Sequence, residues 1–458
     1  MMAAVCALYC RSVQHAAGAS AFNSILMTIT APRRTLGAQV GAALTPLTAA
    51  LRHREFRILW LSLLPGTLGM MMSMVAFGYV AYHLSGSTTT LAAVNAGWGV
   101  PMFVLSPLAG VVADRFARRN VLLLTQGLVG VTAVVVAVLI ATGTVQVWHL
   151  FVVTLVQGTA FAFNIPARQA LIAELVPRGE LGNALALYNA GLNLNRVAGP
   201  AMGGALLTLP AVGPGGVFAG MALLYLVVLA MLQRLPATQV PRYATSGEAP
   251  RTRRGATVDQ LLVGLRYVAS QRQLRRLMLL AFLPLLFGMP YQGLMPALAD
   301  RVFGVDAAGL GALLTANGAG ALAGSLLLAA LSGRVVLARL QLIAGMCFGG
   351  GLVAFALCGA FLPGLLLVAL VGASSSIYTA VNNTLLMAHA PPEYHGRVMG
   401  VYMMTFAAMP LSALPTAWTA DRVGLPLTLA VCGAVAGVTV ALLARRGEPE
   451  AAPALAAA

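Results

Sequence analysis

Long apolar segments recur along this chain and restrict its fold more than any other feature. A helix needs about 20 apolar residues to cross the hydrocarbon core of a bilayer, and it satisfies its own backbone hydrogen bonds there. Of the 458 residues, 59% are hydrophobic and only 9% are charged, a composition that suits lipid rather than water. We therefore predict an all-α membrane protein with twelve transmembrane helices. The segments are 58–84, 90–113, 120–141, 147–168, 183–208, 214–233, 276–299, 308–331, 337–360, 363–386, 397–419 and 424–444.

Arginine predicts the orientation of these segments. The net charge of +16 comes from Arg residues in short gaps between apolar segments, not from one basic face, so we expect no nucleic-acid partner. Basic residues concentrate in the cytoplasmic loops of membrane proteins. With the N-terminus inside, only Arg301 and Arg422 fall in outer loops. We expect a multi-pass protein of a bacterial cytoplasmic (inner) membrane, with both termini in the cytoplasm.

The chain divides into two related halves. Residues 51–233 and 276–446 each contain six apolar segments, and the basic connection 234–275 joins them. A short pattern recurs at an offset of 214 residues, each time between the fourth and fifth segments of its half. Its members are Pro177, Gly182 and Tyr188 in the first half and Pro391, Gly396 and Tyr402 in the second. This repeat predicts two pseudo-symmetric six-helix bundles.

The remaining stretches are expected to lie in the cytoplasm. Residues 1–50 have no spanning segment and predict a disordered N-terminal extension, with Met27 as an alternative start to Met1. The connection 234–275 begins as a flexible linker and continues as an amphipathic helix at the membrane surface, or else as an ordinary solvated connection. Residues 447–458 form a tail.

Charged residues are concentrated in the loop between the second and third segments, which contains Gly110, Asp114, Arg115, Arg118 and Arg119. A carboxylate beside several guanidinium groups can form charge-assisted bonds that hold two helices together in one conformation only. We call this predicted device the cytoplasmic latch. Alternatively, the Arg residues only follow the positive-inside rule, which does not account for Asp114 or Gly110. The spacing resembles the signature loop of the major facilitator superfamily.

The fifth segment contains a set of small residues and one proline: Gly191, Gly199, Pro200, Gly203 and Gly204. It resembles the Gly-Pro signature of exporters in that superfamily, although an ordinary small-residue packing face is the alternative. Four further stretches, 47–60, 84–87, 163–169 and 264–268, resemble the bacterial branch that includes enterobactin and macrolide exporters. The resemblance implies a proton-driven exporter of drug-like or siderophore-like molecules that works by alternating access.

Two Arg residues lie inside or at the end of apolar segments, where charge is costly. Arg168 closes the fourth segment, Arg196 lies deeper in the fifth, and Glu174 is placed to pair with either. We predict a charge relay near the inner gate, with a structural ion pair and snorkelling as the alternative. No acid falls at the centre of a segment, so the sequence offers no embedded carboxylate for proton coupling.

Amide and aromatic side chains within the segments are candidates to line a cavity for amphiphilic cargo, and each has an interhelical hydrogen bond as its alternative role. Asn189, Asn193 and Arg196 share one helix face. The candidates are Tyr79, Asn95, Gln157, Asn164, Asn189, Asn193, Gln292, Asn317, Tyr378, Asn382 and Asn383.

The sequence contains no convergent catalytic set, no metal-ligand cluster and no nucleotide-binding loop, so we expect neither an enzyme nor a metal site. We expect a secondary transporter without a cofactor, driven by a proton gradient and functional as a monomer. Its partners would be the bilayer and a small-molecule cargo. An importer or facilitator on the same fold, or a non-transporting receptor or scaffold, remain alternatives.

Overall fold

The computed structural model describes residues 49–236, 263–331, 335–391, 394, 397–399, 401–402 and 409–445. Over these ranges the chain is helical and contains no strand, which confirms the predicted all-α class. The predictions for the N-terminal extension up to residue 48, the linker over 237–262 and the tail lie outside the described residues. Residues 263–270, at the end of the connection, form a short helix, and its place at the membrane surface stays a prediction.

The first half contains six helices, one at each predicted segment. Most are longer than the apolar segment that predicted them, because a helix continues past the hydrocarbon core with polar residues at its ends. They are α1 (Arg54–Ser85), α2 (Thr88–Arg115), α3 (Arg118–Ala141), α4 (Val147–Leu175), α5 (Leu181–Thr208) and α6 (Gly213–Gln233).

In the second half the first predicted segment is split in two. Pro290 lies at the break, where a proline has no amide hydrogen to donate and its ring crowds the preceding turn. The helices are α7 (Arg272–Gly288), α8 (Tyr291–Arg301), α9 (Ala307–Leu331), α10 (Leu337–Leu357), α11 (Phe361–His389), α12 (Met409–Val423) and α13 (Leu425–Arg445).

Nine helical stretches within the described residues are long and apolar enough to cross a membrane, with α7 and α8 counted as one stretch. This confirms a multi-pass membrane protein. The other three predicted crossings coincide with α2, α5 and α12. Helix α5 carries four Asn residues and Arg196, which lower its hydropathy. For these three helices, crossing the membrane stays a prediction.

The packing repeats between the halves. In the first half α2 packs on α4, and α3 packs on α4 and α6; in the second half α9 packs on α11, and α10 packs on α11 and α13. The halves contact each other mainly through α5 with α9 and α2 with α12. The repeat that relates the two halves maps the first of these contacts onto the second. A pathway between the halves is therefore bordered by α5 and α9 on one side and by α2 and α12 on the other.

Candidate functional site

At the end of the bundle that the sequence predicts to face outward, the two halves are joined at one carboxylate. Asp421, in the last turn of α12, accepts hydrogen bonds from the backbone N–H groups of Thr88 at 3.0 Å and Thr89 at 2.9 Å, at the start of α2. The hydroxyls of Ser87, at 2.8 Å, and Thr89, at 2.9 Å, donate to the same carboxylate. A carboxylate at a helix N-terminus satisfies free N–H groups and faces the positive end of the helix dipole.

Arg301 completes this contact at the end of α8. Its guanidinium lies 3.4 Å from Asp421, donates to the carbonyl of Gly86 and stands 5.5 Å from the ring centroid of Tyr82. We call Ser87, Thr88, Thr89, Arg301 and Asp421 the outer clamp. Between pairs of described residues, the hydrogen bonds that join the two halves all lie at this outer end. The two halves are therefore joined by hydrogen bonds at the end that the sequence predicts to face outward.

Nearer the middle of the bundle, glycine brings α5 and α9 into backbone contact. A Cβ atom built on Gly204 would lie 2.6 Å from the Cα of Gly311, and one on Gly318 would lie 2.5 Å from the carbonyl oxygen of Arg196. Real Cβ atoms do not approach backbone so closely, so any larger residue would force the halves apart.

The other glycines of the fifth-segment motif face α1 within the first half. A Cβ on Gly199 would overlap the Cβ of Met71, one on Gly203 would lie 2.9 Å from the carbonyl oxygen of Met72, and one on Gly191 would lie 3.2 Å from a methyl of Leu63. The motif therefore serves two contacts. Gly191, Gly199 and Gly203 pack α5 on α1, while Gly204 packs it on the second half. Pro200 is buried, and its carbonyl lies beside Gly311.

The predicted cytoplasmic latch lies only partly among the described side chains. Gly110, Asp114 and Arg115 belong to the end of α2, and their side chains fall outside the described ones. Arg118 pairs with Glu174 and donates to the carbonyl of Ala170 at 3.3 Å. Arg119 donates to the carbonyls of Leu232 at 3.1 Å and Gln233 at 2.8 Å. These bonds join α3 to the inner ends of α4 and α6, and the latch itself stays a prediction.

The three residues of the predicted charge relay are separated. Glu174 pairs with Arg118, not with Arg168 or Arg196, because it lies in the last turn of α4 beside the start of α3. Arg168 is buried at 2% exposure, and its Nη1 donates to the carbonyl of Leu59 at 3.2 Å and to Oγ of Ser62 at 3.3 Å. Arg196 is exposed near the middle of α5. The expected ion pair with Glu174 is therefore wrong.

Four of the predicted cavity-lining side chains are buried and hold helices together inside one half. Gln157 donates to Oγ1 of Thr132 at 3.1 Å, and Asn164 donates to Oγ1 of Thr125 at 3.0 Å, which joins α4 to α3. The hydroxyl of Tyr378 donates to the carbonyl of Leu280 at 2.6 Å, and Asn382 donates to that of Leu277 at 3.3 Å. Cavity lining is the wrong role for these four in this packing, because each is buried and donates one hydrogen bond to a neighbouring helix, although Oδ1 of Asn382 has no partner among the described residues.

The remaining candidates are at least partly accessible. Asn95 on α2 lies against Gly293 of α8, and Asn317 donates to the hydroxyl of Tyr291 at 2.7 Å. Asn189 and Asn193 on α5 and Asn383 on α11 have no hydrogen bond to another helix among the described residues. Gln292 on α8 donates to Tyr291 of its own helix. Tyr79 lines a crevice between α1 and α8. Lining of a cargo pathway stays a prediction for these seven residues.

Sequence reasoning did not identify the outer clamp or Asn195. The Ser-Thr-Thr-Thr stretch at 87–90 precedes a helix, a pattern typical of a helix cap, and Arg301 and Asp421 have opposite charges at predicted outer ends. Those signals could have suggested the clamp. Asn195 is buried and donates to the carbonyl of Leu64 at 2.9 Å and to the hydroxyl of Thr67. Asn195 lies four residues from both Gly191 and Gly199, a helical spacing that could have placed it, unlike Asn193, on the side of α5 that packs on α1.

Comparison with known proteins agrees with this architecture. A family model described as transmembrane secretion effector matches residues 44–454. The multidrug efflux pump Tap of Mycolicibacterium fortuitum is 26% identical, over 81% of this chain and 90% of that protein. The enterobactin exporter EntS of Citrobacter koseri is 27% identical, over 76% of this chain and 81% of that protein. Among solved structures, a mutant of the peptide transporter POT superimposes with a TM-score of 0.68 at 14% identity, covering 86% of this chain and 94% of that one.

Proposed function

Because this chain belongs to the transmembrane secretion effector family of the major facilitator superfamily, we propose that it exports small amphiphilic molecules by alternating access. The family and fold are those of transporters rather than enzymes. The cargo class is drug-like or siderophore-like, in line with the relatives that pump drugs or export enterobactin. The membrane is the bacterial cytoplasmic one, both termini lie in the cytoplasm, and the monomer is the working unit.

The outer clamp is the observation that carries this proposal. It joins the two halves through hydrogen bonds from the start of α2 to the carboxylate of Asp421 and from Arg301 to the carbonyl of Gly86. These contacts hold the pathway closed to the outside. Release of cargo to the outside requires these contacts to break while the halves rotate about the glycine contact of α5 with α9. Alternating access consists of such an exchange between two packings of the same halves.

We further propose that the proton gradient drives export and that no bound cofactor takes part. A test compares dye efflux from cells that contain or lack the protein, before and after a protonophore collapses the gradient. We expect protein-dependent efflux that stops when the gradient is lost. Efflux that continues unchanged would contradict proton coupling, and protein-dependent uptake of a solute without efflux would favour an importer.

A matched pair of glycine variants connects the efflux to the contact between the halves. Gly311→Leu places a side chain against the backbone of α5, whereas a Cβ atom on Gly220 of α6, the site of the control Gly220→Leu, would meet no atom within 4 Å. We expect the first variant to lose efflux and the second to retain it. Equal efflux from both would show that the contact of α5 with α9 has no part in transport.

A further inference from the structure

Arg168 carries a buried positive charge that no described carboxylate neutralises. It lies seven residues before the end of α4 at Leu175, about 10 Å along the helix axis. Its hydrogen-bond acceptors, the carbonyl of Leu59 and the hydroxyl of Ser62, are both neutral. The only acid on α4, Glu174, pairs with Arg118. A buried charge without a partner costs several kcal/mol, so a role that repays this cost is expected.

The second half shows that helix packing does not need this charge. Asn382 occupies the equivalent position, since 168 plus the repeat offset of 214 gives 382. Its amide donates to the carbonyl of Leu277 on α7, as Arg168 donates to that of Leu59 on α1. Both residues are almost fully buried, at 1% and 2% exposure. A neutral amide therefore suffices to join α11 to α7, so the equivalent contact of α4 with α1 does not require a charge. The positive charge of Arg168 has a different purpose.

The surroundings of Arg168 suit an amphiphilic ligand with an acidic group. A narrow crevice in front of the guanidinium is bordered by Phe56 and Trp60 of α1 and by Tyr188 of α5. Aromatic faces accept the apolar part of such a ligand. A guanidinium offers a planar set of donors that matches a carboxylate, phosphate or sulfonate group. The crevice is tightly closed here, so Trp60 or Tyr188 must turn aside to admit a ligand.

Arg196 is a second cation within a helix of the first half. It is exposed, lies 15 residues after the start of α5 at Leu181, and its carbonyl touches Gly318 of the second half. The described acids, in contrast, lie in connections or in the first or last turn of a helix. Within the described spans, the membrane interior therefore offers cations and no carboxylate. This charge balance favours an anion along the pathway and disfavours a cation.

We propose that Arg168 binds the acidic group of the cargo, which makes the cargo an anionic amphiphile. This proposal rests on the export function proposed above. Phe56, Trp60 and Tyr188 bind the apolar part, and Arg196 attracts the anion as it passes between the halves. An anionic lipid headgroup carries the same chemistry, and we assign the site to cargo because the crevice lies inside the first half between α1, α4 and α5.

The test uses the full chain in phosphatidylcholine liposomes, with a proton gradient and two dyes of related ring system and opposite charge, fluorescein and rhodamine 123. The variants are Arg168→Gln, Arg168→Lys and, as the matched control, Arg422→Gln at the outer surface. We expect the wild type and the Arg422 variant to transport fluorescein faster than rhodamine 123. Arg168→Gln should lose at least about tenfold of the fluorescein rate, and Arg168→Lys should recover part of it.

Thermal unfolding separates ligand binding from a structural role. We expect Arg168→Gln to unfold at the same temperature as the wild type or higher, because an uncompensated charge has been removed. Fluorescein should raise the unfolding temperature of the wild type and not that of Arg168→Gln. A variant that unfolds at a clearly lower temperature and loses both dyes equally would show a structural role and overturn the proposal.

The remaining outcomes distinguish the two proposals. Transport of rhodamine 123 alone, or an unchanged fluorescein rate in Arg168→Gln, would overturn the anion site and leave export standing. Failure of the wild type to transport either dye or any member of a wider panel would contradict the export function itself. Stabilisation by phosphatidylglycerol that depends on Arg168, without any effect of fluorescein, would identify a lipid site instead.

Discussion

Replacing the carboxylate of the outer clamp should shift the protein toward its outward-open conformation. The substitution Asp421→Asn keeps the shape of the side chain and removes its charge. The amide retains one acceptor oxygen, whereas its NH₂ group faces the donors of Thr89 or Arg301. Loss of one hydrogen bond to a charged group costs about 1.5 kcal/mol. Loss of the interaction with the helix dipole of α2 costs about 0.5 kcal/mol. The partly exposed ion pair with Arg301 lies within the second half, so its loss does not change the closed-to-open ratio.

The hydrogen-bond and dipole contributions sum to about 2 kcal/mol, all of it present only while the halves are joined at the outer end. Since about 1.4 kcal/mol corresponds to a factor of ten, the closed-to-open ratio should fall roughly 30-fold. Hydrogen–deuterium exchange at the outer clamp measures this change in the closed-to-open ratio. The amides of Thr88 and Thr89 should exchange faster in the variant, while those of α3 and α6 keep the wild-type rate. The matched control is Asp306→Asn, at the outer side but outside the clamp.

Unchanged exchange at Thr88 and Thr89 would refute this reasoning, because it would mean that the clamp contributes nothing to closure. Faster exchange throughout the first half would also count against it, since that result indicates general destabilisation of the bundle.

Two further outcomes are expected from the described contacts. Gly311→Ala should lower the free energy of unfolding by about 1–3 kcal/mol through overpacking against the backbone of α5, and it should lower the unfolding temperature. The control Gly220→Ala should leave the unfolding temperature equal or higher. Similar unfolding temperatures for the two variants would contradict the assigned contact. Asn164→Ala should destabilise the first half by about 1 kcal/mol, because it removes a buried hydrogen bond to Thr125. Efflux by this variant should persist. Loss of efflux with unchanged stability would show that Asn164 belongs to the cargo pathway.

The sequence by itself determined the membrane fold. Hydropathy is a local property, and a bilayer imposes the same length and the same internal hydrogen bonding on each crossing, so the apolar segments located the helices. Arginine in the connections likewise predicted the orientation, and the repeat at an offset of 214 residues predicted two related halves whose packing pattern the structure repeats. Helix ends were less well predicted, because helices α1 and α4 continue beyond the hydrocarbon core.

Only the tertiary structure decided which polar residues meet. Ser87 and Asp421 are 334 residues apart, and no local pattern relates them. The sequence offered Arg168 or Arg196 as the partner of Glu174, and the packing of α3 beside the end of α4 selects Arg118 instead. That selection leaves Arg168 buried with no counter-ion among the residues that the structure describes. Hydropathy places a charged residue at a depth in the membrane, but the relative positions of distant helices determine whether its charge is neutralised by the protein or left for a ligand.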